Sequence, residues 1–216
     1  MIKVRKKNFV LLALILALIW TAAFSRGTLS NVLSASASLT SFKGVIEVKS
    51  STSKMPILFN FEFVPPNKMR INYIYPMIMK GTIIIIDGKD FYTYIPSLHL
   101  KKHSKIRGNT KNPGESMGFF FHFVQRDLPS FLKGYEIINV KGTEKIKMSF
   151  EKLKASYETK EAIIRGKNSE EKIYYDAKTN IPVKVEIYKD GKLTSEVKIL
   201  KYVFNVKIPS KDFVLK

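Results

Sequence analysis

Four consecutive isoleucines, Ile83 to Ile86, run into Asp87-Gly88 and out again into the apolar stretch FYTYI before Pro96. Neighbouring side chains on a strand point to opposite faces, so this run places isoleucine on both. A hairpin with one wet face would alternate apolar and polar residues instead. Asp-Gly between two apolar runs is a strong turn signal. The chain must therefore build a sheet that is covered on both sides, at least here. The expectation is a central strand with one face toward an apolar space and the other under a loop or a chain terminus.

The flanking sequence keeps the period of two. SFKGVIEVKS puts Phe42, Gly44, Ile46 and Val48 on one face, and MPILFNFEFV does the same with Ile57, Phe59, Phe61 and Phe63, with Asn60 and Glu62 opposite. KMRINYIY places Met69, Ile71, Tyr73 and Tyr75 together, with Lys68, Arg70 and Asn72 on the other side. Further strands are predicted from YEIINV, KIKMSF, EAIIRG, EKIYYD, VKVEIYKDGKLTSEVKIL with its own Asp190-Gly191 turn, and YVFNVKIPSKDFVL. Roughly ten short strands joined by Ser/Thr, Pro-Pro-Asn and Asp-Gly turns make an antiparallel sheet wide enough to curl on itself.

Two segments change to helical spacing. Leu29, Val32, Leu33, Ser36 and Leu39 recur at that interval after Thr28, a suitable N-cap, and Met117, Phe120, Phe121, Val124 and Leu128 do so before Pro129, which starts a second short turn through Phe131 and Leu132. Between the strands and the second helix, SLHLKKHSKIRGNTKNPGES reads as a basic polar loop. Two helices are few for so wide a concave face. The predicted fold is α+β: a strongly curved antiparallel sheet forming an incomplete β-barrel, with a helical lid over a hydrophobic cavity. Its candidate lining is Phe59, Phe61, Phe63, Ile71, Tyr73, Ile84, Ile86, Tyr92 and Tyr94 from the sheet, with Met117, Phe120, Phe121 and Val124 from the lid. The plainer alternative is that the same residues pack as an ordinary core.

The first 25 residues read as an address. Lys3, Arg5, Lys6 and Lys7 precede an uncharged run from Phe9 to Phe24, the pattern of a signal peptide or, if retained, of an N-terminal membrane anchor. The run is a little shorter than the about 20 residues of a comfortable span. Residues 26–216 then form one exported domain, periplasmic or otherwise extracytoplasmic, tethered or free. Lys and Arg number 37 against 18 Asp and Glu, a formal charge of +19. The basic residues interleave with strands, so they read as a solvated surface or as attraction to an anionic membrane surface, and export argues against a nucleic-acid partner. The absence of cysteine excludes disulfides, Cys-type metal sites and a lipidated N-terminal cysteine.

Catalytic motifs are missing. There is no G-x-S-x-G, no Gly-rich phosphate loop and no motif with paired carboxylates. His99 and His103 stand four apart, but Lys101, Lys102 and Lys105 beside them would repel a metal ion. No enzyme, cofactor or metal site is expected.

The order of LSNVLSASASLTSFKG, FNFEFVPPNKMRINY, IIDGKDFYTYIP, YYDAKTNIPVKVEIYKDGK and YVFNVKIPSKDFVL resembles the LolA-like family of outer-membrane lipoprotein carriers and related lipid-binding proteins, from about Thr28 onward. That resemblance implies an incomplete barrel with a helical lid and a cavity for the acyl chains of lipids or lipoproteins. Where lipoprotein carriers of the family have an arginine before the proline of the strand-turn motif, this chain has Pro65 before Pro66. Two functions follow as expectations. One is a monomeric, non-enzymatic carrier moving acyl chains through the cell envelope between donor and acceptor proteins. The other is an envelope sensor that uses the same cavity and signals through a protein partner.

Overall fold

A computed structural model of the chain describes residues 29–53, 55–106 and 117–215. The N-terminal address, the Thr28 cap and residues 107–116 of the basic loop lie outside them. Eleven strands form one sheet in the order β6-β5-β4-β3-β2-β1-β11-β10-β9-β8-β7. They are β1 (Phe42–Ser50), β2 (Ile57–Val64), β3 (Lys68–Tyr75), β4 (Ile83–Asp87), β5 (Asp90–Ile95), β6 (Leu100–Lys105), β7 (Glu136–Phe150), β8 (Leu153–Arg165), β9 (Ser169–Asp176), β10 (Pro182–Lys189) and β11 (Lys192–Phe204). Helix α1 covers 29–37, and α2 (Phe119–Gln125) and α3 (Leu128–Phe131) follow in the interruption between β6 and β7. Every strand pairing is antiparallel.

The open, antiparallel, helix-covered sheet is as the sequence predicts, with two differences. The stretch read as a loop contains β6, an exposed edge strand bearing Lys101, Lys102 and Lys105. Lysines are typical of an edge strand, since they keep it from pairing with another chain, and that is why it looks like a loop. The lid helix predicted to run to Leu128 ends earlier, at Arg126, whose left-handed φ of 65° closes α2, and the second short turn predicted from Pro129 is α3.

All three helices lie on one face. Phe42, Phe61, Phe63, Ile71 and Ile86 from the left half of the sheet join Ala162, Ile164, Ile173 and Val197 from the right half in one buried cluster with Leu29, Val32, Phe120 and Phe123. The sheet thus wraps the helices. Beyond that region it coils the other way. Six strands separate β3 from β7, a distance of about 34 Å if the sheet were flat. Yet the rings of Tyr75 and Phe150 lie 5.3 Å apart. A register shift between Val140 and Glu144, with Gly142 at φ 109°, bends the long β7–β8 hairpin. Its distal half carries Met148, Ala155 and Tyr157 onto Leu58, Val183 and Leu200, a second apolar cluster on the face opposite the helices.

The isoleucine run sits where these arrangements meet. Met69 pairs with Ile86 and Ile71 with Ile84, which puts Ile84 and Ile86 on the helix-covered face. Ile83 and Ile85 face the other way. Their cover is the C-terminal turn Ser210–Phe213, which packs on β3 and β4. Arg70 anchors it by donating from Nη1 to the Asp212 carbonyl at 2.6 Å, and Phe213 and Ile85 are both buried. The turn Ser210–Phe213 therefore covers the second face, with Phe213 buried within it.

Truncating a buried Phe costs about 3–5 kcal/mol. Phe213→Ala is expected to lower the unfolding free energy measured by urea denaturation by an amount in that range, and Lys211→Ala, on the exposed side of the same turn, to leave it unchanged. A shift near zero for Phe213→Ala would mean that Ile85 does not depend on this cover.

Candidate functional site

The site is the contact between α2 and the concave, helix-covered face. Alternation along β2 aims Phe59, Phe61 and Phe63 at the helices, and the register with β3 and β4 aligns Ile71, Tyr73, Ile84 and Ile86 beside them. Met117, Phe120, Phe121 and Val124 come down from above and join the same cluster. The Phe120 ring lies 5.2 Å from that of Phe42 and 6.0 Å from that of Phe61. In this structure the helix's own side chains occupy the concavity.

Tyr92 and Tyr94, predicted to line the same space, do not. Tyr92 pairs with Ile85 and Tyr94 with Ile83, on the opposite face. The reason is the hairpin turn: a two-residue Gly88-Lys89 loop sets Ile86 against Phe91, so Phe91 and not Tyr92 faces the helices. Tyr92 instead stacks on His103, at 4.5 Å between centroids, and His103 bonds the Asp90 carboxylate at 2.7 Å.

Two polar groups under the helices escaped the sequence reading. Glu171 is only 6% exposed, sits between Ile164 and Ile187 in the sheet, and accepts the Phe119 N–H at 2.8 Å through Oε2. Tyr175 is buried in the same cluster, and its hydroxyl has no hydrogen-bond partner among the described residues. The alternation of SEEKIYYD does place Glu171, Ile173 and Tyr175 on one face. Nothing local says that the face lies under a helix some fifty positions away.

Gly118 makes the Glu171 contact possible. Its φ is 51°, and a side chain there would stand 2.7 Å from both Glu171 Oε2 and Ile187 Cδ1. A second tie comes from α1, where Ser36 Oγ donates to the Phe123 carbonyl at 2.7 Å. Helix α2 is thus pinned at each end by one hydrogen bond and held between them by its phenylalanines.

The opposite face has a different chemistry. A depression of about 620 Å³ lies there between β1, β2, β3, β11 and the C-terminal turn, lined by Lys43, Asn60, Glu62, Arg70, Asn72 and Lys201 among others. Val45, Tyr202 and Val203 line it too, so the depression mixes charged and apolar side chains.

No family model matches the chain, and no curated protein matches it. Solved structures do. An uncharacterized conserved protein from Thermus thermophilus aligns with a TM-score of 0.55 at 10% identity, over 87% of this chain and 91% of that one. A chain of the MucA/MucB complex of Pseudomonas aeruginosa aligns at 0.53 with 12% identity, over 89% of this chain and 61% of that one. MucB alone aligns at 0.54 with 10% identity, over 90% and 63%. This chain therefore spans less than two thirds of the MucB chain. At such identities the likeness is one of fold.

Burial pushes the Glu171 carboxyl up to about 7, the Phe119 N–H pulling it only partly back. With α2 lifted, the group meets water and returns toward its ordinary value of 4.5. The closed state then holds the proton more tightly than the open one. Closure is fully favoured below pH 4.5 and weakens as pH rises through about 7. Amide protection of residues 119–125, corrected for intrinsic exchange, is expected to be higher at about pH 5.5 than at about pH 8. Glu171→Gln should remove the difference. A pH response that survives Glu171→Gln would place the titrating group elsewhere.

Proposed function

We propose that this protein is a non-enzymatic, extracytoplasmic binder of acyl chains in which α2 is a lid over the concave face of the sheet. The observation that carries this reading is the filling of that face by a short helix rich in phenylalanine, tied down by two hydrogen bonds. Burial of a hydrocarbon chain contributes about 0.8 kcal/mol per methylene. Expelling α2 exposes aromatic surface, but those rings can close again over the incoming chain. The exchange of lid for ligand is then nearly balanced, which suits a protein that must take up and release. Tyr175 adds a buried hydroxyl that a ligand carbonyl or ester would satisfy. The N-terminal basic and apolar segment supplies export.

Carriage of a lipid or lipoprotein through the envelope is the function this geometry supports best, in line with the LolA-like resemblance. A second reading is favoured by the fold shared with MucB, a protein solved in complex with MucA: a sensor that reports lipid to a protein partner. The carrier reading requires a soluble form that gives up its ligand to acceptor vesicles. The sensor reading requires that lipid change the affinity for a protein.

Phe120→Ala separates a lid from ordinary core. It removes the ring between Phe42 and Phe61 and should cost about 3 kcal/mol of stability in either case. If Phe120 occupies the ligand's place, the variant is also expected to retain more co-purified lipid in native mass spectrometry, and α2 amides should slow when a long-chain fatty acid is added. Loss of stability with no lipid in either form, and no change in exchange, would sink the proposal.

A further inference from the structure

Large apolar side chains project into water at one end of the sheet. Ile78 is 80% exposed, Met77 74% and Leu98 67%. All three lie on turns: Met77 and Ile78 between β3 and β4, Leu98 between β5 and β6. Leu100, Met55 and Leu153, at the β5–β6, β1–β2 and β7–β8 connections, are exposed as well. Single exposed hydrophobes need no explanation, but a set gathered at one end does.

The gathering follows from topology. In an antiparallel meander the β1–β2, β3–β4 and β5–β6 turns all fall at the same end. Contacts tie them together. The place a Gly81 side chain would take is 3.3 Å from Pro96 Cγ, so the β3–β4 and β5–β6 turns abut. Tyr75 Oη reaches Met55 Sδ at 3.9 Å, and the Tyr75 ring meets that of Phe150, which brings the bent β7–β8 tip to the same end.

Charge in these four turns is one-sided. The four turns hold Lys80 and Lys152, and Lys101, Lys102 and Lys154 stand on the strands just beyond. Glu151 is the only carboxylate in the four turns. Asp87 and Asp90, the only acids between Pro76 and Ile106, are at the far end of the β4–β5 hairpin. Apolar tips ringed by lysine match the two layers of an anionic bilayer surface, with hydrocarbon below and phosphate above.

We propose that this rim is a docking surface for anionic phospholipid membranes, with Met77, Ile78 and Leu98 entering the headgroup–acyl boundary and the lysines contacting phosphates. The rim lies outside the α2 concavity and does not depend on acyl chains binding there. It gives the molecule a defined orientation on a membrane through its folded domain, independent of the N-terminal segment.

The chain has no cysteine, so one introduced cysteine carries one probe. Full-length Ile78→Cys and Leu98→Cys, each labelled with an environment-sensitive dye, are mixed with phosphatidylcholine vesicles with or without about a third phosphatidylglycerol. Lys89→Cys, at the opposite end, is the reference. Positions 78 and 98 are expected to shift to the blue on anionic vesicles and position 89 to stay unchanged. Charge reversal at Lys80 and Lys101 should weaken binding at least about tenfold. Attachment through residues 9–24 alone would leave the probes at 78 and 98 unshifted, and that result overturns the proposal. An equal shift at 89, or equal shifts on neutral vesicles, overturns it too. Lipid co-purification is scored separately, so failure of the acyl-binding reading leaves this result readable.

Discussion

The contact of Phe120 with the rings of Phe42 and Phe61 is the interaction on which the rest of the structure depends. An eleven-stranded open sheet has two faces and buries only what something else covers. On the concave face the cover is three short helices, and the central one, α2, has seven residues, far below the about 12–15 at which isolated helices become even marginal in water. Helix and sheet face therefore exist for each other. The phenylalanines hold α2 in helical form, and α2 keeps the apolar face of β1 and β2 out of water.

The opposite face solves the same problem by other means, which explains why the sheet coils in two senses. Lys184, Glu186, Glu196 and Lys198 form a chain of ion pairs there, at 2.6, 3.4 and 2.8 Å, on half-buried side chains. Pairs of this kind contribute little net stability, but they make a face that tolerates partial wetting. Apolar residues that could not be left wet are handled locally. The turn that carries Phe213 covers the β3–β4 surface around Ile85, and the bent end of β7–β8 covers Leu58 and Leu200.

Much of this was legible because strand alternation is a strict rule. Phe59, Phe61 and Phe63 share a face in the structure as their spacing requires, and the Ile83–Ile86 run does need cover on both sides. Tyr92 and Tyr94 went astray because alternation within β5 does not fix its phase against β4; the length of the Gly88-Lys89 turn does. β6 was hidden by the lysines that protect an edge. The roles of Glu171 and Phe213 depend on partners distant in sequence, Phe119 and the β3–β4 surface, and no local pattern announces such a meeting.

The two polar ties on α2 differ in kind, and that difference sets how the lid can be controlled. Ser36 Oγ donates to the carbonyl of Phe123, a neutral bond indifferent to pH near neutrality. Glu171 accepts from Phe119 with a carboxyl that burial has raised to about 7, so its charge changes near neutral pH. An ionised carboxylate among Ile164, Ile187 and the lid phenylalanines gains from leaving that setting, and the way out is for α2 to lift. A serine or glutamine at position 171 would keep a polar group there without this drive. The choice of an acid makes the stability of the closed lid a function of its surroundings, while the strand ladders beneath it hold their register. Opening then need not disturb the sheet: a seven-residue helix that loses its apolar bed also loses its reason to be helical, and it can leave as a loosened segment.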